Sequence, residues 1–193
     1  MAHSLLLAMP SQAGTYFADT VTYLCRHDRE GAFGIVLNQP MDLPFATLME
    51  QAGIPRPAAS ATMPSVAVRG GGPVHPEQGV LLHSMDVSRD DTEALGHELG
   101  LTFSRDMLEA VVAGNGPASV LFALGYAGWG AGQLEAEIAR DAWLVLQMPG
   151  TPDARREALH HTLFDTPASE VLAAVSAQAG ADLRLLSGHI GHA

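Results

Sequence analysis

The residues best suited to receive something foreign are Tyr126 and Trp129, set among Gly125, Gly128, Gly130 and Gly132. Each ring offers a large apolar body with one polar handle, and glycines let the backbone take positive φ and let a ligand or another chain approach closely. The apolar run from Ser119 to Leu124 has the length of one buried strand. After the glycines, Leu134 and Ile138 lie four apart, the spacing of one helix face. The stretch therefore reads as strand, glycine turn and helix. Amides at the helix start, beside Gln133, can receive a carbonyl or an anion. The competing reading is a tight turn whose aromatic rings pack into the core. A dinucleotide site is excluded, because Gly128-x-Gly130-x-Gly132 has the wrong spacing and Glu135 and Glu137 would repel phosphate.

A second candidate chemistry is that of a thiol. Cys25 and His27 share a strand face, and two residues of extended chain separate them by about 7 Å, too far for direct proton transfer. The pair stays a redox or nucleophilic candidate beside the simpler reading of a buried, inert cysteine. The chain has nine histidines. Its nearest pairs, His160-His161 and His189-x-x-His192, match no zinc pattern, so no metal is expected. No serine sits in a Gly-x-Ser-x-Gly elbow, which leaves no signature of serine hydrolysis. Asp90, Asp91 and Glu93 read as a solvated acidic face. No catalytic residue is assigned and no cofactor is implied.

Composition narrows the function further. Acidic residues number 21 against 10 basic, for a net charge of −11. Every basic residue is an arginine, so a P-loop lysine, a Schiff base and a lysine general base are all ruled out. An acidic, lysine-free chain is a poor duplex binder, which argues against direct nucleic-acid contact. With 47% hydrophobic and 16% charged residues over 193 positions, the chain can bury a core without disulfides. A lone cysteine, no basic leader and no apolar run long enough to span a bilayer point to the cytoplasm and away from membranes.

Several elements must position these residues. Leu5 to Met9 reads as a buried strand stopped by Pro10. Thr20–His27 and Ala32–Asn38 flank polar Asp28-Arg29-Glu30-Gly31 and form a hairpin, with the second strand central. A short helix over Phe45–Ala52 closes at Gly53. Ile54 to Pro64 reads as a loop. Ser65–Arg69 reads as a strand answered by Gly79–His83, and Asp86–Gly100 as a loop or poor helix. Leu101–Phe103 suggests a brief strand, and Ser104 an N-cap for a helix over Arg105–Ala113. Trp143–Met148 is a strand ended by Pro149, and helices follow over Pro152–His161 and Pro167–Ala179, the last closed by Gly180. This irregular mixture predicts α+β with a mixed sheet and one domain over 1–193.

Several blocks together resemble the YqgE/AlgH family. They are Leu6 to Pro10, Tyr23-Leu24-Cys25-Arg26-His27, Glu30-Gly31-Ala32, Asn38-Gln39-Pro40, Gly71-Gly72-Pro73-Val74, Leu82-His83, Gly125-Tyr126-Ala127-Gly128-Trp129, Gly132-Gln133-Leu134-Glu135 and Gly191-His192-Ala193. The resemblance implies a largely antiparallel sheet curling toward a partial barrel, in bacterial cytosolic proteins, some labelled transcriptional regulators. The chain departs from that pattern at Gln39 and Gln78, where cations are usual, and at Val171, where tryptophan is usual. The candidate ligand-binding set is Asn38, Tyr126, Gly128, Trp129, Gly130 and Gln133. The expected role is that of a non-enzymatic regulatory or binding domain whose partner is a protein or a small molecule, with a thiol-dependent enzyme using Cys25 as the alternative.

Overall fold

A computed structural model describes residues 1–54, 64–148 and 150–178. Residues 55–63, within the segment read as a loop, and Pro149, Ala179, Gly180 and the histidines at 189 and 192 lie outside the described residues. Nine described strands form one sheet in the order β6-β7-β5-β8-β3-β2-β1-β9, with β4 added beside β8, and the sheet curls into a half-barrel. The strands are β1 (Ser4–Ala8), β2 (Val21–His27), β3 (Gly31–Val36), β4 (Val68–Gly70), β5 (Val74–Ser84), β6 (Glu93–Leu95), β7 (Leu99–Thr102), β8 (Val120–Gly130) and β9 (Trp143–Leu146). The helices are α1 (Phe45–Gln51), α2 (Arg105–Val112), α3 (Gln133–Ile138), α4 (Pro152–His160) and α5 (Ala168–Gln178), with a π-helical turn over His161–Asp165 between the last two. The α+β class expected from the sequence is what the chain adopts.

Period-2 alternation explains how strands buried on both sides join different clusters. On β1, Leu5 and Leu7 enter a core shared with Tyr23, Ile35, Leu163 and Val171, while Leu6 and Ala8 pack with Leu24, Trp129, Leu134 and Trp143. A third cluster joins α1 and α2 to β4, β5 and β8 through Phe45, Met107, Val111 and Phe122. The β2–β3 hairpin forms as read, and β3 is central between β8 and β2.

Four elements differ from the sequence reading. The strand at 120 does not stop at Gly125; it runs to Gly130. Gly125, at φ +71, acts as a bulge. Before it, Leu121 and Ala123 face the first core, and after it the even-numbered Tyr126 does, so the facing reverses across Gly125, where the β5–β8 register also breaks between Val74↔Tyr126 and Gly79↔Leu124. Next, β4 pairs in parallel with β8, not with the Gly79–His83 strand. Asp86–Gly100 contains β6 and the start of β7, which pair as an edge hairpin. Finally, Ser104 precedes α2 in extended conformation, but its side chain makes no cap hydrogen bond.

Candidate functional site

Beyond the bulge, β8 lines an open groove of ≈ 460 Å³ with Arg26, Asp28, Glu30, Gly31, Phe33, Val74 and Tyr126. Its floor is aromatic. The rings of Phe33 and Tyr126 lie 4.7 Å apart, Phe103 meets Phe33 edge-on at 6.1 Å, and His75 stands 5.9 Å from Tyr126. The Arg26 guanidinium rests 5.2 Å from the Phe33 centroid, a cation–π contact, and its Nε is 3.3 Å from Glu93. Position sets this row: Arg26 and Gly128 are the partners of Phe33 on either side of β3. Gly128 is exposed and contributes no side chain, so the row dips there.

The candidate residues separate into two groups. Tyr126 and Gly128 shape the groove directly, and Trp129 borders it from the strand. The Trp129 indole, however, turns into the core and is 6% exposed. Its Nε1 donates to Glu137 Oε2 at 2.9 Å, and Trp143 Nε1 donates to the same oxygen at 2.8 Å. Gln133 completes this network: its Oε1 accepts from the Gly130 amide at 3.0 Å and its Nε2 donates to Glu137 Oε1 at 2.9 Å. Burial pushes the Glu137 carboxyl up, but the bonds from Trp143, Gln133 and Trp129 outweigh it and hold the group below the usual carboxylate range. Gln133 and Glu137 thus lock the end of β8 to α3.

Asn38 stands apart from the groove. Its Oδ1 accepts from the Val21 amide and its Nδ2 donates to the Asp19 carbonyl, both at 2.8 Å, so it fastens the entry to the hairpin. Cys25 is buried at a bulge in β2, with Sγ 3.8 Å from the Tyr23 carbonyl. Burial drives its thiol pKa far up, Glu93 adds to the rise, and Arg26 offsets part of it. His27 turns its Nε2 to Glu135 at 2.8 Å rather than to the thiol. Among the described residues, no group of three or more potential ligands is placed to hold a metal ion. No described helix is long and apolar enough to cross a membrane.

Sequence reasoning missed Arg26 and Phe33 as groove residues and Glu137 as the acceptor for both indoles. The i, i+4 spacing of Gln133 and Glu137 was a readable signal for the second. The first depends on a bulge and a cross-strand register that no local pattern announces.

The glycines of the region sort by what a side chain would meet. A Cβ on Gly72 would lie 2.0 Å from the Tyr126 carbonyl carbon, and one on Gly71 would lie 2.3 Å from the Gly125 oxygen. At Gly128 the nearest atoms are Tyr126 Cε2 at 3.5 Å and Val74 Cγ2 at 3.7 Å, ordinary contact distances. The fold demands glycine at the crossing of the two segments and, in the groove, at Gly31, whose Cβ would lie 2.2 Å from the Trp129 oxygen, but not at Gly128.

Fold and groove together define an α+β half-barrel protein with an aromatic surface cleft. The AlgH-like family model matches residues 5–184, and the chain belongs to that family. It is 42% identical over 193 residues to the UPF0301 protein AlgH of Pseudomonas aeruginosa, covering 100% of this chain and 96% of that one. A UPF0301 protein of Stutzerimonas stutzeri is 43% identical over 195 residues, again covering 100% of this chain and 96% of the relative. The solution structure of the Pseudomonas aeruginosa AlgH protein superposes with a TM-score of 0.73 at 42% identity, covering 99% of this chain and 95% of the other. A crystal structure from Corynebacterium diphtheriae shares the fold at 23% identity, with a TM-score of 0.57 over 79% of this chain and 78% of that one.

Proposed function

We propose that this chain is a non-enzymatic, cytoplasmic binding protein of regulatory type, and that its groove between Arg26 and Val74 receives a small molecule or a side chain of a protein partner. The observation that carries the reading is Gly128. Glycine inside a strand weakens it, and where packing does not require one it marks a place something else approaches closely. At Gly128 a methyl group would fit, so the fold is not what keeps the position empty. The missing side chain leaves the half-buried Tyr126 ring accessible over the buried Phe33, with Asp28 and Glu30 beside it.

An effect on transcription, the label some family members carry, would then run through the bound partner rather than through contact with DNA. The net charge of −11 supports this. The alternative of thiol chemistry finds little support in a Cys25 that is 1% exposed and whose neighbour His27 is engaged by Glu135.

Native mass spectrometry of protein purified from its own host, wild type beside Gly128→Val, tests the proposal. The expected result is a retained mass on the wild type that is lost from the variant at unchanged folding. The same mass retained by both proteins would place the ligand elsewhere, and a wild type carrying nothing and joining no partner would remove the groove as a site.

A further inference from the structure

Arg69 lies away from the groove just described and is 4% exposed. Its Nη1 donates to the Leu37 carbonyl at 2.7 Å and its Nη2 to the Thr166 carbonyl at 3.2 Å. Among the described residues its Nε has no acceptor and no carboxylate lies within ion-pair distance. Removing a guanidinium from water without a counter-charge is costly, and a native fold rarely leaves it so. Each Nη also keeps a second N–H beyond the carbonyl it binds.

The same wall carries a second source of positive potential. Arg69 lines a ≈ 450 Å³ groove with Met41, Leu43, Val68 and the residues Pro167, Ala168 and Ser169 at the start of α5. That helix has eleven residues, and the amides of Ala168 and Ser169 find no acceptor among the described residues. Thr166, which precedes them, spends its hydroxyl on the His161 carbonyl at 3.0 Å. A helix start with free amides attracts anions. Two acids temper the site: Asp42 lines the groove and Glu170 sits in the first turn of α5, both exposed.

We infer that this groove binds a small oxyanion, the phosphate or carboxylate group of a ligand, between the buried Arg69 guanidinium and the free amides of Ala168 and Ser169. The cation is fixed in place by the two carbonyls, and the apolar groove wall strengthens its field.

Titration of the ¹⁵N-labelled full chain with sodium phosphate, and separately with sodium acetate, tests this, with sodium chloride holding ionic strength constant. Saturable shifts are expected at the Ala168 and Ser169 amides and at the Arg69 Nε–H. Saturation by phosphate alone, by acetate alone or by both supports the site and identifies the class of oxyanion it prefers. Arg69→Met should abolish the shifts. Should that variant fail to fold, Ser169→Glu, an exposed change that tethers a carboxylate in the first turn of α5, should raise the half-saturating concentration at least tenfold. No saturable shift at these three groups with either salt, or shifts unchanged in a folded variant, would overturn the inference and leave Arg69 as a tie between two carbonyls.

Discussion

The two halves of β8 are made of similar residues and do opposite things. From Val120 to Gly125 the strand is enclosed, paired with β5 on one side and β4 on the other, and crossed by Gly71 at backbone contact distance, with Gly72 lying against the junction at Tyr126. From Tyr126 to Gly130 it pairs with β3, only Val74 of β5 still reaches it, and Gly128 and Gly130 are exposed. Glycine in the first half is a steric necessity. In the second it is an opening. Counting glycines therefore says nothing about function until each is asked what its missing side chain would strike.

The largest effect should come where the halves meet. Gly72→Ala would put a methyl group against the carbonyl carbon of Tyr126 at 2.0 Å, and backbone on both sides leaves no flexible group to yield. Strain and overpacking together should cost about 4 kcal/mol or more, a large share of a typical domain's stability. Urea unfolding should show it as a collapsed midpoint or as insoluble protein. A midpoint near wild type would mean that the crossing is looser than described and that the contrast between the halves fails.

Glu137→Ala should rank second. It strands two indole N–H groups and the Gln133 amide at once, at a cost of about 3 kcal/mol. The chain has only two tryptophans, and both donate to this carboxylate, so intrinsic fluorescence reports the network directly. Because the bonds hold the Glu137 carboxyl below its ordinary range, this contribution is full at neutral pH and is lost progressively as pH falls from the ordinary carboxylate value, where the unfolded chain takes up the proton, toward the lowered native value. Emission that shifts well above pH 4.5 would break the assignment.

Much of this architecture was legible, and what was not has a common cause. The β2–β3 hairpin, β1 and α4 are local: alternation, a turn sequence or a proline in the first turn specifies them. The parallel pairing of β4 with β8 joins residues more than fifty apart and leaves no local trace. The bulge at Gly125 was misread as the end of a strand, because a glycine in a strand and a glycine in a turn look alike until the facing of Tyr126 is known. Tyr126 and Gly128 could be singled out because ring and glycine chemistry is visible in residue type, and both line the groove. The facing of the Trp129 ring, which the sequence left open between groove and core, depends on that same bulge, and the ring packs in the core.

The enclosed half should also be the acid-sensitive one. His83, opposite Val120 and Gly100, is fully buried, with Nδ1 donating to the Ser84 carbonyl at 2.8 Å and Nε2 without a partner among the described residues. Burial lowers its pKa, and the Ser84 carbonyl and Asp86 recover only part of the drop. The unfolded chain therefore takes up the proton first. Stability should be full above about pH 6.5 and fall as pH drops below it, toward the lowered native value. His83→Leu should flatten the slope of urea midpoints between pH 7 and pH 5, and an unchanged slope would move the acid sensitivity elsewhere.

The smallest expected change in stability is the sharpest test of the comparison. A Cβ on Gly128 meets only ordinary contacts, and alanine costs the unfolded chain less entropy than glycine, so Gly128→Ala should stabilise the protein by about 0.5 kcal/mol. Thermal unfolding of this variant beside Gly130→Ala, whose Cβ would have nothing nearer than Gln133 Oε1 at 3.9 Å, measures the cost of opening the strand. If both alanines stabilise while Gly128→Ala alone weakens whatever the groove retains, glycine at 128 gives up strand stability in exchange for access. If Gly128→Ala destabilises by as much as 2 kcal/mol, its glycine serves packing after all, and the second half of β8 is no different in kind from the first.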